Sequence, residues 1–268
     1  MTTRLRVAAV QMVSGGDVPG NLAQAEPLIA SAAAAGARLV VLPEYFGLLG
    51  AHAADKLAVR EKEGEGPQQA FLSRCARTHG IVLVGGCVPL ACADPDRVRS
   101  ACLVFGPEGE RIARYDKIHL FRFLQGDENY DETRTIEPGT EPATFAAGCG
   151  RVGLSICYDV RFPELYRALG DLALIVVPAA FTAPTGAAHW ELLLRTRAVE
   201  NQCYLLAAAQ GGVHPNGRRT FGHSMLVDPW GSVLACHREG PGVVVGDVDP
   251  AEIARVRSQL PALSHRVL

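Results

Sequence analysis

The stretch Val152–Pro163, with the sequence VGLSICYDVRFP, joins a continuous apolar run to a polar turn and then to a proline. Continuous apolar runs of this length are typical of strands that are buried on both faces of a sheet. A proline after such a turn suits the first turn of a helix. This unit of a buried strand followed by a helix recurs along the chain, and it predicts an α/β fold in which helices cover the sheets.

The same alternation continues on both sides of this stretch. About ten strands are many for one open sheet, so we expect two packed sheets. In the first helix we expect Asn21 to be the N-cap, while Pro27 predicts a kink or a later start. The predicted strands are Leu5–Met12, Arg38–Leu42, Ile81–Cys87, Ala101–Phe105, Val152–Cys157, Leu172–Pro178, Cys203–Gln210, Ser224–Val227 and Val243–Val248. The predicted helices are Asn21–Gly36, Pro67–His79, Pro163–Gly170 and Ala187–Glu200.

The composition of the chain limits its class. It has 268 residues, 48% of them hydrophobic and 20% charged, as in a packed globular protein. We predict one domain over residues 1–249, with a helix and an arm over residues 250–268 that belong to the same domain or to an interface between copies. The net charge of −2 argues against a nucleic-acid partner, and no apolar run is long enough for a membrane helix. The N-terminus shows no signal peptide, which predicts a cytoplasmic protein.

Two kinds of motif are present but do not indicate a bound group. The eight cysteines have spacings that fit neither a zinc site nor a disulfide framework, and most lie in apolar runs where a free cysteine packs as a small hydrophobic residue. The sequence GCGRVG at Gly148–Gly153 has the spacing of a dinucleotide fingerprint, but it precedes a strand instead of opening a helix. We interpret it as a glycine turn, and we expect no cofactor and no metal ion.

Lysine is rare in this chain, which has 23 arginines but only three lysines. Where only positive charge is needed, the sequence nearly always uses arginine. A lysine in such a background suggests a need for a compact point charge or for an amine that can lose a proton. Lys56 and Lys62 lie in a polar, helix-like stretch and are interpreted as solvated surface residues. Lys117 lies at the edge of a strand-like segment and is the exception.

Reactive side chains stand at three borders between apolar and polar sequence, namely Glu44, Lys117 and Cys157. Ligand sites in α/β sheets form beyond the carboxyl ends of strands. A cysteine just ahead of a helix N-terminus is placed for thiolate character, and a dehydrated glutamate has a raised pKa that suits a general base. Taken singly, an ion pair explains Glu44 and core packing explains Cys157. Together the three residues indicate a thiol hydrolase.

At these same residues the chain resembles the nitrilase superfamily, the carbon–nitrogen hydrolases. The matching segments are LVVLPE at Leu39–Glu44, YDKIHL at Tyr115–Leu120 and ICYDVRFPE at Ile156–Glu164. The resemblance implies a single-domain, four-layer αββα sandwich and a triad of Glu44, Lys117 and Cys157. It also implies a second acidic residue, for which Glu132 aligns best, and back-to-back homodimers or larger homo-oligomers.

Three further segments narrow the resemblance to one branch. These segments, His189–Glu191, Arg195–Tyr204 and Phe221–Gly231, are similar to the amidases of deaminated glutathione and the related omega-amidases. The resemblance therefore implies a small-molecule amide that bears a carboxylate as the substrate. A nitrilase or another hydrolase of the superfamily stays open as an alternative, and so does a catalytically idle relative that binds a small acid or a protein.

The resemblance also implies a mechanism. Cys157 attacks the amide carbon, Glu44 transfers the protons, and Lys117 with the backbone N–H of Tyr158 holds the oxyanion. Glu132 is expected to orient Lys117 or the substrate. For the carboxylate of the substrate, Arg161 and Arg195 are the expected anchors, and an ordinary ion pair is an equally good interpretation of each. A papain-like pairing of the cysteine with His119 or His223 ranks second.

Overall fold

The computed structural model describes residues 2–125 and 128–267. Over these residues the chain alternates between strands and helices. The α-helices are α1 (Val18–Ala34), α2 (Asp55–Ala58), α3 (Pro67–His79), α4 (Pro163–Ala168), α5 (Ala183–Asn201) and α6 (Pro250–Gln259). The strands are β1 (Leu5–Gln11), β2 (Leu39–Val41), β3 (Val82–Val84), β4 (Val88–Ala91), β5 (Val98–Phe105), β6 (Arg111–Asp116), β7 (Arg122–Gln125), β8 (Glu128–Asp131), β9 (Thr144–Ala147), β10 (Gly150–Leu154), β11 (Leu174–Ala179), β12 (Tyr204–Ala209), β13 (Gly211–Val213), β14 (Arg219–Phe221), β15 (Ser224–Val227), β16 (Val233–His237) and β17 (Gly242–Val248). Short 3₁₀ helices cover Glu132–Arg134, Cys157–Arg161 and Ala262–His265.

Two large sheets form the centre of the molecule. The first has the strand order β17-β1-β2-β3-β5-β4 with β6 paired to β5, and the second has the order β16-β15-β12-β11-β10-β9. Strands β1, β2 and β3 are parallel to one another, as are β10, β11 and β12. Helices α1 and α3 pack on the first sheet, and α4 and α5 pack on the second. The predicted four-layer αββα sandwich is therefore confirmed.

The pleat of β1 explains how one strand serves two cores. Val7 and Ala9 belong to the core shared with the second sheet, while Ala8 and Val10 pack with residues of α1 and α3. All four side chains are fully buried. Because successive side chains of a strand point to opposite faces, a strand covered on both sides has a continuous apolar sequence. This is the pattern that predicted the central strands.

The N-terminal ends of two helices differ from the prediction. Helix α1 begins at Val18, and the N-cap is Asp17, whose carboxylate accepts a hydrogen bond of 2.7 Å from Gly20 N. The predicted N-cap, Asn21, is instead inside the helix, and its side chain joins Gly15 to the carbonyl of Gly47. The predicted stretch therefore starts three residues late. Helix α5 begins at Ala183, four residues before the predicted start.

Short strands at the sheet edges and in hairpins were not predicted. The side chains of β6 and β16 are half-buried or exposed except for Tyr115. The sequence of β6 contains no continuous apolar run, and the short run Val233–Cys236 of β16 was missed. The glycine turn predicted at Gly148–Gly153 is confirmed, since β10 begins at Gly150. All eight cysteines are free, and six of them are buried as expected, whereas Cys92 is half-buried and Cys236 is exposed.

The C-terminal helix is joined to the second sheet. Ile253 and Val256 of α6 are buried, and the Arg257 guanidinium donates to the Asp171 carboxylate at 2.6 Å and to the Leu172 carbonyl at 2.7 Å. The division of the chain at residue 249 stays a prediction. Within the described ranges, no helix is long and apolar enough to span a membrane.

Candidate active site

Four predicted site residues meet where strands of the two sheets end. Glu44 follows β2, Lys117 follows β6, and Cys157 is three residues beyond the end of β10. Glu132 begins the 3₁₀ helix that follows the β7–β8 hairpin. The structure brings these four side chains together, and Glu44, Lys117 and Cys157 are each at least 93% buried. Two sheets facing each other at their strand ends thus enclose a polar cluster.

The backbone turns sharply at two of these positions. Cys157 has a φ of 50°, and Tyr45, directly after Glu44, has a φ of 58°. This left-handed conformation is costly for residues with a Cβ, by about 1–2 kcal/mol, and such strain concentrates at functional sites. The two turns lie three and four residues beyond the ends of β10 and β2.

The turn at Cys157 is held by Asp159, which is fully buried. The Asp159 carboxylate accepts hydrogen bonds from Ile156 N at 2.8 Å and from the Tyr115 hydroxyl at 2.7 Å. It also accepts a bond of 3.1 Å from His119 N. Asp159 therefore ties the turn that contains the cysteine to the loop that contains Lys117. Asp159 lies in the segment that resembles the family, but no role was predicted for it.

Lys117 is the centre of the cluster. Its ammonium lies 2.8 Å from Glu44 Oε1, and it lies 2.8 and 3.0 Å from the two carboxylate oxygens of Glu132. Burial lowers the pKa of Lys117, but the charges of Glu132 and Glu44 outweigh that effect and raise it well above its ordinary 10.5. Lys117 is therefore the cation of the cluster.

The pKa values of the two carboxyls are shifted in opposite directions. Burial raises the pKa of Glu44 above its ordinary 4.5, the Lys117 charge opposes this shift, and the Glu132 charge adds to it. Burial also raises the pKa of Glu132, but the Lys117 charge and hydrogen bonds from Lys117, Phe121 N and Tyr45 bring it below 4.5. Paired carboxyls whose pKa values are separated in this way divide the roles of proton carrier and permanent anion. The raised pKa suits Glu44 to proton transfer, and the lowered pKa suits Glu132 to a permanent negative charge.

The expectation that Cys157 has thiolate character is wrong for the free protein. Burial raises the pKa of Cys157 well above its ordinary 9, and the Glu44 charge raises it further, while Lys117 opposes both. The sulfur is enclosed behind the turn, and the short 3₁₀ helix that it begins does not offset the dehydration. The cysteine is a neutral thiol, so its attack on a substrate requires a base to remove the proton.

Glu132 is held by further hydrogen bonds besides those from Lys117. Its carboxylate accepts bonds of 2.7 Å from both the Tyr45 hydroxyl and Phe121 N. Its own N–H donates to the Phe121 carbonyl at 3.0 Å. The sequence analysis missed Tyr45, although its position directly after Glu44 was a usable signal.

Gln210 is a second residue that the sequence analysis missed. Its side-chain amide donates to the Glu44 carbonyl at 3.0 Å and to Ser14 Oγ at 2.8 Å. Its oxygen accepts from Ser14 N at 3.0 Å. Gln210, which follows β12 of the second sheet, thereby fixes the backbone of Glu44. Nothing in the local sequence indicates this, because the contact spans 166 residues.

The two histidines considered as partners of the cysteine make other contacts. His119 Nδ1 lies 2.8 Å from Asp159, and the His119 ring stacks on Phe162 at 3.8 Å between centroids. His223 Nδ1 lies 2.8 Å from the Phe221 carbonyl and stacks on the Phe221 ring. Both imidazoles thus support loops, whereas a carboxylate and an ammonium surround the thiol.

Two neighbouring cavities reach the cluster. A small one is lined by Cys157, Tyr158, Phe121 and residues at the start of α5. A larger one is lined by Tyr45, Phe121, Glu132 and Lys56 among others. Phe121 lines both cavities. Lys56 was interpreted as a solvated surface residue, and this was wrong, because its side chain is partly buried in the wall of the larger cavity.

The two arginines named as substrate anchors lie in different places. The Arg161 guanidinium lies over the rings of Tyr158 and Phe181, both of which line the small cavity, at 5.7 and 5.4 Å from their centroids. Arg195 is on α5, where it donates to the Gly231 carbonyl at 2.7 Å and lies 3.3 Å from Glu191. The structure does not bring Arg195 to either cavity.

A four-layer αββα sandwich with a buried glutamate, lysine and cysteine at its strand ends defines a class of thiol hydrolases. The sequence profile of the carbon–nitrogen hydrolase family matches residues 6–258, and the chain belongs to that family. It is therefore a hydrolase of carbon–nitrogen bonds, as the sequence motifs predicted.

Individual relatives agree with this assignment over almost the whole chain. A deaminated glutathione amidase from Synechocystis sp. is 41% identical over 266 residues, which are 97% of each chain. The omega-amidase NIT2 of Homo sapiens is 38% identical over 268 residues, 98% of this chain and 95% of that protein.

Solved structures agree as well. Saccharomyces cerevisiae Nit3, described as a member of branch 10 of the nitrilase superfamily, superposes with a TM-score of 0.88 and is 31% identical, over 99% of this chain and 97% of its own. A variant of an amidase from Nesterenkonia sp. superposes with a TM-score of 0.79 and is 28% identical, over 97% of this chain and 99% of its own. That structure shows the result of Michael addition of acrylamide at the active-site cysteine.

Proposed function

We propose that the protein is a thiol amidase that hydrolyses the primary amide of a small carboxylate-bearing substrate to the acid and ammonia. The observation that supports it most is the buried Lys117 ammonium between Glu44 and Glu132, beside the thiol of Cys157. The two relatives named as amidases of deaminated glutathione and omega-amides support the choice of substrate.

The first half of the proposed reaction forms a thioester. Glu44, ionised and acting on a neutral thiol, takes the proton of Cys157 while the sulfur bonds to the amide carbon. The tetrahedral intermediate then collapses: the bond from carbon to nitrogen breaks, and Glu44 returns the proton to the leaving nitrogen, which departs as ammonia. The raised pKa of Glu44 suits both transfers, since the same carboxyl serves as base and then as acid.

The second half releases the acid. A water molecule enters the place vacated by ammonia, and Glu44 removes its proton as the oxygen bonds to the thioester carbon. Collapse of this second intermediate breaks the bond from carbon to sulfur, and the proton on Glu44 returns to the thiol. The enzyme is thereby restored, and one water has been consumed for each amide.

Both intermediates place a negative charge on the former carbonyl oxygen. The Lys117 ammonium is the cationic donor that we assign to it, and the backbone N–H of Tyr158 is the second donor. Removing one donor of this kind typically costs about 2.7–4 kcal/mol of transition-state stabilisation. Glu132 keeps Lys117 in place through two hydrogen bonds and does not need to change its charge. It is a positioning residue in this scheme.

We also propose that two copies pair through the exposed face of α5 and the turn that leads into β16. Leu192, Trp230 and Leu234 are 66%, 55% and 50% exposed, and exposed apolar side chains that lie together typically mark an interface. Arg195 bonds the Gly231 carbonyl at 2.7 Å, so α5 and the turn are in contact.

The eight free cysteines suit the reducing cytoplasm, where we place the protein. In this proposal residues 250–268 belong to the same domain.

Ammonia release tests the proposal. Deaminated glutathione, 2-oxoglutaramate and plain aliphatic amides are incubated with the wild-type protein and with Cys157→Ala. Release that disappears in the variant supports a thiol amidase, and the rank order of the amides identifies the substrate class. An absence of release from every amide by the wild-type protein contradicts the proposal and favours a nitrile substrate or a binding role.

A further inference from the structure

We propose that Lys56 binds the carboxylate of the substrate, at the end of the larger cavity opposite the reacting amide. This inference rests on the proposed function and names the residue that selects an anionic amide. It replaces neither the triad nor the oxyanion donors, and it assigns a role to a lysine that the sequence analysis placed on the surface.

The surroundings of Lys56 lack a partner of opposite charge. Its ammonium donates to Thr135 Oγ1 at 3.1 Å, and no described carboxylate lies within 4.0 Å of it. Burial lowers the pKa of Lys56 below its ordinary 10.5, and the charge of Glu132 offsets only part of that shift. An ammonium has three donors, and the described residues accept one of them, so two are available to a ligand. A partly buried cation in this state gains most from an anion that enters beside it.

The acidic residues in the same wall already have partners. Glu132 lies 2.8 Å from the Lys117 ammonium, and Asp131 accepts bonds from the backbone N–H and hydroxyl of Thr133. Arg218 lines the cavity as a second cation; its guanidinium lies 4.5 Å from the centroid of the Tyr130 ring, and its Nε has no hydrogen-bond partner among the described residues. Among the described residues that line this cavity, the charged groups without a partner of opposite charge are therefore Lys56 and Arg218. Both are cations, which favours an anionic ligand.

The position of the two cavities sets the direction of the substrate. Cys157 lines the small cavity, Lys56 lines the larger one, and Phe121 lines both. Glu132 and Tyr45 line the larger cavity next to the catalytic cluster. An amide carbon placed at the sulfur therefore has its acyl chain directed past Phe121 and toward Lys56. A carboxylate at the far end of a short chain meets the unpaired ammonium.

The two arginines considered earlier are less suited to this role. Arg195 is bonded to the Gly231 carbonyl and lies outside both cavities. Arg161 lies over two aromatic rings, and its terminal nitrogens face His189 Nδ1 at 3.4 Å. Arg161 is not among the residues that line either cavity, whereas Lys56 lines the larger one.

The test compares an anionic amide with its neutral ester. Succinamate and methyl succinamate differ only in the far carboxylate, and ammonia release from both is measured with the wild-type protein, Lys56→Met, Lys56→Arg and Lys62→Met. Lys62 is the matched control, since it is an exposed lysine six residues away. We expect the kcat/KM for succinamate, divided by that for methyl succinamate, to fall about 10- to 100-fold in Lys56→Met. The fall comes from a higher KM for succinamate, as expected for loss of a charge-assisted hydrogen bond. Lys56→Arg recovers part of the ratio, and Lys62→Met leaves it at the wild-type value.

A binding measurement separates this inference from the proposed function. Succinate is titrated calorimetrically into Cys157→Ala and into Cys157→Ala with Lys56→Met, where no chemistry occurs. Weaker succinate binding by the double variant than by Cys157→Ala supports the anion site. This holds even if the wild-type protein releases no ammonia from any amide. Equal binding by both proteins, or an unchanged kcat/KM ratio in Lys56→Met, overturns the inference while leaving the amidase proposal intact.

Discussion

Replacing Lys117 by Met removes a buried cation that two carboxylates share. Its ammonium lies 2.8 Å from Glu44 and from Glu132, and the lysine side chain is fully buried. Removing one partner of a buried ion pair typically costs about 3–5 kcal/mol, because a charge is left buried without compensation. Here two carboxylates are left, and we expect a loss of at least this size at pH 8. Lys62→Met, which changes an exposed lysine, is the control.

The loss of stability in Lys117→Met is expected to be smaller at low pH than at high pH. Without the ammonium, burial and mutual repulsion raise the pKa of Glu44 and Glu132 in the folded protein above their values in the unfolded chain. The folded variant then binds more protons, so its stability rises as the pH falls, by up to about 1.4 kcal/mol per pH unit for each carboxyl. Urea unfolding at pH 8 and pH 5 measures this. A stability difference between wild type and variant that is the same at both pH values refutes the assignment of Lys117 as the shared cation.

Two further variants test the backbone and the hydrogen bonds around the cluster. Gly86→Ala places a Cβ against the carbonyl oxygen of Pro43, directly before the general base, at a φ of 49°, whereas Gly80 has a φ of 59° and open space around it. We expect Gly86→Ala to lower the free energy of unfolding by about 2–5 kcal/mol, and the control Gly80→Ala to lower it by only about 1–2 kcal/mol. Urea titration measures both values, and equal losses would contradict the expectation. Tyr45→Phe removes the 2.7 Å bond to the Glu132 carboxylate and is expected to lower kcat about tenfold or more in the ammonia assay; unchanged kcat would show that Tyr45 does not position Glu132.

The central strands were predictable because of how they are buried. Strands such as β1 and β11 are covered on both faces, so their sequences are continuous apolar runs bounded by turns. Strands β6 and β16 lie at edges, where Tyr115 is the one fully buried side chain of the two strands. The sequence of β6 therefore has no continuous apolar run, and β16 has only the short run Val233–Cys236, which was missed. The start of α1 was misplaced because Asn21 is as good a capping residue as Asp17, and only the tertiary contacts of Asn21 with Gly15 and Gly47 separate the two.

The site was predictable where a reactive residue stands at the end of an apolar run. Glu44 and Cys157 meet this condition, whereas Lys117 was singled out by the rarity of lysine in the chain. Glu132 follows a hairpin and was identified only through the family resemblance. Residues that act through distant contacts, such as Gln210, leave no local signal.

The acidity of Cys157 was predicted in the wrong direction for a related reason. The sequence shows the helix that follows the cysteine, but it does not show that the thiol is enclosed beside a carboxylate. Burial and the Glu44 charge raise its pKa, and together they exceed the opposing effect of Lys117. Lys56 was misplaced for the same reason, since its polar neighbours in sequence do not reveal the cavity that its side chain enters.

The central claim is that Glu44 removes the proton from a neutral Cys157 thiol. The pH dependence of kcat/KM for ammonia release, measured for wild type and Glu44→Gln, tests it most directly. Because burial raises the pKa of Glu44, the wild-type rate is expected to fall toward acid with an apparent pKa above 4.5, while Glu44→Gln loses about 10²–10⁴-fold at neutral pH. Near-normal turnover by Glu44→Gln, or a wild-type acid limb at or below 4.5, would contradict the mechanism.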